Sequence, residues 1–345
     1  MTLRLLRDAP TRGLSFVDET SLRTAFPRLA YYASMWPYYE AATDTTPEDS
    51  SLVETDEQGS PAFGFLAGNA GFGASFFGSP AIAEFTESGH DIRRDRLGRA
   101  VAEEVIRLHS ETKPSPLTVR VLSDSSRLTG FDLALLSAGA RTQPQFSAEV
   151  DLTLREEEIW SSLRRSYRSL VNRGREALKV EVADVNRPEK SVFDTYRLLH
   201  SEVAGRQTRP ARSWDEMWQR VAQNQALLLV ARLDGRPVAA TFVTKFGGLA
   251  VYASGAYVRD LGKFPVSHWP LYASILAAKG AGCSRFLLGS AYFDQAVSVS
   301  EKLRSIASFK RGFATEIVMH REYVLGTEGE RDGDGADAHL PLVRP

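Results

Sequence analysis

Cysteine is almost absent: Cys283 is the only one in 345 residues. A disulfide within the chain is therefore excluded, and without a CxxC partner so is a cysteine zinc site. Histidine is sparse too, and His90, His109, His200, His268, His320 and His339 show neither HExxH nor HxH spacing. No metal centre is expected from such a set, and no motif announces a cofactor. No apolar run reaches the roughly 18 residues that a membrane-spanning helix needs. The opening stretch MTLRLLRDAPTRG has too short an apolar core for a signal peptide. A cytoplasmic protein is the expectation. Net charge is missing as well, at 42 basic against 43 acidic side chains, or −1, so bulk coating of a polyanion is excluded.

What remains is an ordinary globular composition, 43% hydrophobic and 25% charged, in a chain long enough for about two domains. The charge is segregated along it. Arg164, Arg165, Arg168, Arg173, Arg175 and Lys179 face a single acid, Glu176, within sixteen residues. Arg197, Arg206, Arg209 and Arg212 form a second cluster, and Lys302, Arg304, Lys310 and Arg311 a third.

Periodicity predicts an α/β order in the first half. Residues 61–77 read as two short strands around a glycine turn, 93–110 as a helix with Leu97, Val101, Val105 and Leu108 on one face, 117–122 as a strand, 131–140 as a helix and 145–154 as a strand. An early helix is expected over 30–40. The second half repeats this order at greater length, with a helix over 160–179, a strand over 180–185, and helices over 190–203 and 214–224. A hairpin of 227–233 with 237–246 turns at Asp234 and Gly235, followed by a strand over 249–258, a helix over 268–279 capped by Ser267, and a strand over 285–288. The succession of strand pair, strand, helix and strand is that of an acetyltransferase-type unit, and it occurs twice. The expected fold is α/β with two such lobes, mixed sheets flanked by helices and no helical-arm insertion. The lobes fall at residues 1–148 and 149–325, and 326–345, glycine-rich and acidic, read as a disordered tail.

Five stretches bear on the chemistry. Residues 300–315 (SEKLRSIASFKRGFAT) place Phe309 and Lys310 where a strand should enter a core. Burying an ammonium costs several kcal/mol unless it is paired or used, so Lys310 either snorkels to water or works at a cleft. Arg164, Arg168, Arg175 and Lys179 fall on one helical stripe, which is either a solvated face or a phosphate-binding one. Arg206 and Arg209, ahead of Trp214, suit recognition of a carboxylate or phosphate as well as a plain helix-terminal loop. Residues 68–73 spell GxxGxG, but strand and turn rather than a helix follow, which is the wrong context for a pyrophosphate. The loop 259–267, where a coenzyme A cradle would lie, holds one glycine and a proline. That cradle is degraded.

On the passage 150–179, Gly205 and Arg206 after their helix, 250–289, and SFKRGF at 308–313, the chain resembles the FemABX family over roughly residues 15–325. These are non-ribosomal peptidyltransferases with two acetyltransferase-like lobes that draw amino acids from aminoacyl-tRNA. The resemblance implies a cytoplasmic acyltransferase without cofactor, joining a tRNA-borne amino acid to the amine of a peptide or small molecule, of peptidoglycan-precursor or natural-product type. It puts the family's Phe and Lys pair on Phe309 and Lys310, with the lysine stabilising negative charge. It puts an acceptor-holding arginine on Arg206, with Arg209 and Trp214 beside it, and an acceptor-contacting tyrosine on Tyr252. Arg164, Arg168, Arg175, Lys179, Lys302 and Arg304 would meet tRNA. The segment 30–40 departs from the family in lacking a basic residue. A coenzyme A-dependent N-acyltransferase and a catalytically silent tRNA or nucleotide-sugar binding module remain the rival readings.

Overall fold

The structure, a computed structural model, describes residues 4–5, 24–49, 51–55, 61–69, 74–86, 92–112, 116–122, 128–293 and 299–326. Part of the expected glycine loop at 68–73, and the tail from residue 327, lie outside them. The chain divides into two compact units. One holds the chain up to Gln145 together with the last strand from Met319, and the other runs Phe146–Val318.

The first unit contains β1 (Arg4–Leu5), α1 (Pro27–Ser34), α2 (Trp36–Thr43), β2 (Glu48–Asp49), β3 (Leu52–Thr55), β4 (Pro61–Leu66), β5 (Gly68–Asn69), β6 (Ala74–Ser75), β7 (Ala81–Phe85), α3 (Ile92–Thr112), β8 (Leu117–Leu122), α4 (Gly130–Ser137) and the start of β9 (Arg141–Asp151). Its main sheet runs β3, β4, β7, β8, with β7 and β8 parallel across α3 and the other pairs antiparallel. Phe63, Phe65, Val101, Val105, Val119, Val121, Phe131 and Leu135 form its core. The single early helix expected over 30–40 is two helices that meet at Met35, because Pro37 offers no N–H and fits only a first turn. The first of them starts early enough to carry Arg28, which is buried.

The second unit continues with α5 (Glu156–Ser162), α6 (Arg165–Ala177), β10 (Lys179–Ala183), α7 (Lys190–Ala204), α8 (Ala211–Ala222), β11 (Ala226–Leu233), β12 (Arg236–Phe246), β13 (Leu249–Tyr257), α9 (His268–Gly280), β14 (Arg285–Ser290), α10 (Glu301–Arg311) and the start of β15 (Glu316–Leu325). Its sheet runs β10, β11, β12, β13, β14, β9. Only β13 and β14 are parallel, joined by α9. The expected hairpin turn is present, with Asp234 at φ 50° and Gly235 at φ 85° as a two-residue primed turn requires.

The two units share one plan, and each is completed by a strand from the other half of the sequence. The outer strand of the first is β15, with Tyr323 opposite Val119, and that of the second is β9, with Val150 opposite Phe286. In the first unit the buried Asp132 carboxylate accepts from the Thr129 N–H at 2.6 Å, Arg321 Nε at 3.0 Å and the Tyr323 hydroxyl at 2.7 Å, which ties α4 to β15.

Two expectations are corrected here. The helix over 160–179 is broken, since Leu163 and Arg164 are extended (ψ 138° and 130°). Leu163 turns into the core, and the Arg164 N–H donates to the Gly312 carbonyl at 2.9 Å instead of continuing the helix. Residues 300–315 are mostly helix, not strand. Ser300 caps α10 through the Leu303 N–H, so Phe309 and Lys310 stand in a last helical turn.

Candidate functional site

The parallel strands β13 and β14 pair only through Leu249–Arg285, Ala250–Phe286 and Val251–Leu287, then part. Each strand is irregular at the level where they separate. β13 shifts register against β12 between Tyr252 and Ser254, and β14 shifts against β9 between Leu287 and Gly289. The ladder therefore opens toward the strands' C-terminal ends.

Tyr252, Gly255 and Tyr257 lie opposite Val243, Thr241 and Ala239, on one face of β13. Strict alternation would put Tyr252 and Tyr257 on opposite faces; the extra residue at Ala253 brings them together. Their hydroxyls are 3.2 Å apart, and Tyr257 is 3.2 Å from Thr241 Oγ1. Gly255 is needed between them, because a Cβ there would stand 2.1 Å from the Tyr252 hydroxyl. Burial first, then the neighbouring Tyr257, raises the Tyr252 pKa well above its ordinary value. Burial also raises that of Tyr257, so both stay neutral donors.

Lys310 enters this opening from α10. Its Nζ lies 5.0 Å from the centre of the Tyr252 ring. Among the described residues it has no hydrogen-bond acceptor and no carboxylate partner. Desolvation lowers its pKa from 10.5 to about 8. Phe309 faces elsewhere: its ring packs at 5.9 Å from Tyr167, 5.3 Å from His268 and 5.3 Å from Phe313. His268 is neutral in this cluster, its pKa pushed down by burial to about 4.

The residues expected to bind an acceptor separate into two kinds. Arg206 is exposed, just past the left-handed Gly205 that ends α7. Arg209 and Trp214 are buried in the body of the unit. The Arg209 guanidinium donates to His200 Nε2 at 2.9 Å and Ser254 Oγ at 3.3 Å, and its carbon lies 5.0 Å from the centre of the Trp214 ring. His200, with its pKa near 4 from burial and the Arg209 charge, accepts on Nε2 and donates from Nδ1 to Thr208. Arg209→Ala is accordingly expected to cost about 2–4 kcal/mol of stability, by leaving this network unpaired. Arg206→Ala should leave stability within about 0.5 kcal/mol. Urea unfolding of the two variants checks the contrast.

The basic stripe is shorter than periodicity suggests. Arg168 and Arg175 share a face of α6, but Arg164 caps it and Lys179 opens β10. Arg164 donates to the Ser308 carbonyl at 3.0 Å and Arg168 to the Ser161 carbonyl at 2.6 Å, so both also hold helix ends together. Lys302 is exposed on α10 and Arg304 half-buried.

The loop 259–267 leads into the N-terminus of α9, where a pyrophosphate would need free N–H groups. The Phe264 and Val266 N–H groups are used within the loop, at 3.2 and 3.0 Å, and Pro265 and Pro270 have none. α6 presses on the same end. A Cβ at Gly174 would stand 2.7 Å from Trp269 Cβ and 3.6 Å from the Trp269 nitrogen.

Among the described residues no group of three potential metal ligands occurs, and no helix is long and apolar enough to cross a membrane. Tyr257, Gly255 and Gly289 were not singled out from the sequence. A run YASGAY in a strand marks the pair of tyrosines but not the bulge that unites them.

Residues 161–294 match the acetyltransferase (GNAT) domain family. The crystal structure of FemX is similar with a TM-score of 0.62 at 12% identity, covering 91% of this chain and 97% of that one. L-PGS from Bacillus licheniformis is similar at 0.54 and 13%, covering 90% and 91%. The C-terminal domain of a putative lysylphosphatidylglycerol synthetase from Agrobacterium fabrum is similar at 0.52 and 16%, covering 86% and 93%. A comparison with the curated proteins finds no match. The chain thus has an acetyltransferase-type α/β fold, FemX-like over most of its length.

Proposed function

We propose that the protein is an aminoacyl-tRNA-dependent transferase that forms an amide between a tRNA-borne amino acid and the amine of a peptide or small molecule. The observation that carries this reading is the Lys310 ammonium, without an acceptor among the described residues, in the opening between β13 and β14. The Phe264 and Val266 amides, used within the loop, and Pro265 between them support a donor other than coenzyme A. The similarity to FemX and to a putative lysylphosphatidylglycerol synthetase supports the same reading.

The chemistry asks little of the protein. An α-amine has a reference pKa near ~8, so part of it is neutral at pH 7, and an aminoacyl ester is already activated. The amine attacks the ester carbonyl, and the carbonyl oxygen becomes an oxyanion that Lys310 meets. The ester C–O bond then breaks, and the ribose hydroxyl leaves with the proton lost by the amine. Alignment and charge stabilisation supply most of the acceleration. In this reading Arg206 holds the acceptor and Tyr252 lines its place. Arg168, Arg175, Lys302 and Arg304, with Arg164 and Lys179, face the tRNA backbone.

Two outcomes test this. Incubation with total charged tRNA and candidate amines should give an amide product by mass spectrometry that ribonuclease abolishes. Product from acetyl-coenzyme A that resists ribonuclease would replace this reading by the rival that the GNAT match favours. In addition, kcat should fall above pH 8, because the Lys310 ammonium is lost as pH rises through about 8. Tyr252, whose ring Lys310 faces, and Tyr257 beside it stay neutral there. Lys310→Arg should move that fall to higher pH, and an unchanged alkaline limb would assign it to another group.

A further inference from the structure

Lys310 reaches the opening past β14, at Gly289. That residue has φ +110°, and Lys310 Nζ, at 3.0 Å, is the one atom recorded within 4 Å of the place its Cβ would take. Across the opening, Nζ faces the Tyr252 ring at 5.0 Å. The ammonium therefore lies between a bare stretch of backbone and an aromatic face. Among the described residues no hydrogen bond holds it there.

We propose that Gly289 is a positioning residue: the missing side chain at 289 sets where the Lys310 ammonium stands in the opening. This rests on the reading of Lys310 as the group that meets the oxyanion. Nζ is the end of a flexible chain with no acceptor among the described residues, so a methyl group at 289 moves Nζ before it moves the backbone. Oxyanion stabilisation is steep in distance, and displacement by a fraction of an ångström is enough to be read in turnover.

The left-handed φ alone would also call for glycine, and two other positions separate the causes. Gly139 (φ +91°) and Gly282 (φ +81°) share that conformation, with nothing within 4 Å of a built Cβ. Gly139→Ala and Gly282→Ala therefore carry the backbone strain without the contact.

Gly289→Ala is expected to lower kcat about tenfold with both KM values within about twofold, while the two control variants lose thermal stability and keep their kcat. In a Lys310→Ala background, adding Gly289→Ala should change kcat less than about twofold, since its effect passes through the lysine. An equal loss in both backgrounds overturns the proposal. A second readout needs no turnover. In full-length protein labelled at lysine 13Cε, the Lys310 signal, assigned by its loss in Lys310→Ala, should shift at pH 7 in Gly289→Ala and not in Gly139→Ala or Gly282→Ala. An unmoved signal overturns the positioning role whatever the reaction. A moved signal in a protein inactive with charged tRNA upholds that role and removes the donor reading.

Discussion

Lys310→Ala should lower kcat by about 100- to 1,000-fold, close to the 3 kcal/mol associated with one oxyanion donor, with acceptor KM little changed. Lys310→Met should do the same and, at pH 7, make the protein more stable. The sign follows from desolvation. The ammonium is comfortable in the unfolded chain, with an ordinary pKa of 10.5, and disfavoured in the fold, where that value falls to about 8. Below pH 8 the folded protein carries the penalty in full, and it fades as pH rises toward 10.5. At 1.36 kcal/mol per unit the ceiling is about 3 kcal/mol, and residual water at Nζ reduces it to on the order of 1–3 kcal/mol. Urea unfolding at pH 7 and pH 9.5 reads it directly. The gain of Lys310→Met should shrink at the higher pH. A Met variant less stable than the parent at pH 7 would mean that the ammonium is well solvated, and the reason to assign it a task would be gone. Stability given up for a charge that turnover needs is the usual pattern of a working site.

Gly312→Ala should destabilise the protein by about 3 kcal/mol or more. Gly312 sits at φ −67°, ψ −12°, where alanine carries no backbone strain, so the cost is purely steric. Its Cβ would stand 2.2, 2.7 and 2.9 Å from atoms of the Tyr167 ring. That ring has no room to withdraw, since it is bounded by His268 at 4.7 Å and Phe313 at 5.0 Å, with the Arg164 guanidinium 4.9 Å from its centre. This cluster seats the last turn of α10, two residues from Lys310. Tyr167→Leu introduced alongside should recover part of the loss, as shared sterics require. Thermal unfolding of the two single variants and the double measures it. Simple additivity would show that Gly312 and Tyr167 do not meet as described.

Much of the second unit was legible because its elements are local. The apolar strands 226–233 and 236–246, and the Asp234–Gly235 turn between them, are adjacent in sequence and agree in pattern and turn chemistry. The repeated order of elements likewise carried the two-lobe plan. What failed were junctions set by remote partners. Nothing in residues 160–179 says that Leu163 will leave the helix, because the carbonyl that takes the Arg164 N–H belongs to Gly312. Residues 300–315 look strand-like because Phe309 and Phe313 are apolar. Yet α10 runs to Arg311, and both rings pack against Tyr167, Phe309 from its last turn and Phe313 from just beyond it. Arg209 and Trp214 share the loop signature of Arg206, and only burial distinguishes a guanidinium that builds the unit from one that faces solvent.

By itself the sequence determined the class of fold and excluded a disulfide within the chain, and it singled out one lysine near the end of the chain as a candidate. Periodicity, turn residues and composition act over a few neighbours and survive without knowledge of the rest. Tertiary structure alone decided that this lysine rides on a helix and that β13 and β14 part beside it. It alone decided that one extra residue in β13 turns Tyr252 and Tyr257 to the same face, and that Gly289 leaves the space Nζ fills. These depend on groups of separate elements meeting within a few ångströms, and that information is written in packing rather than in any local pattern.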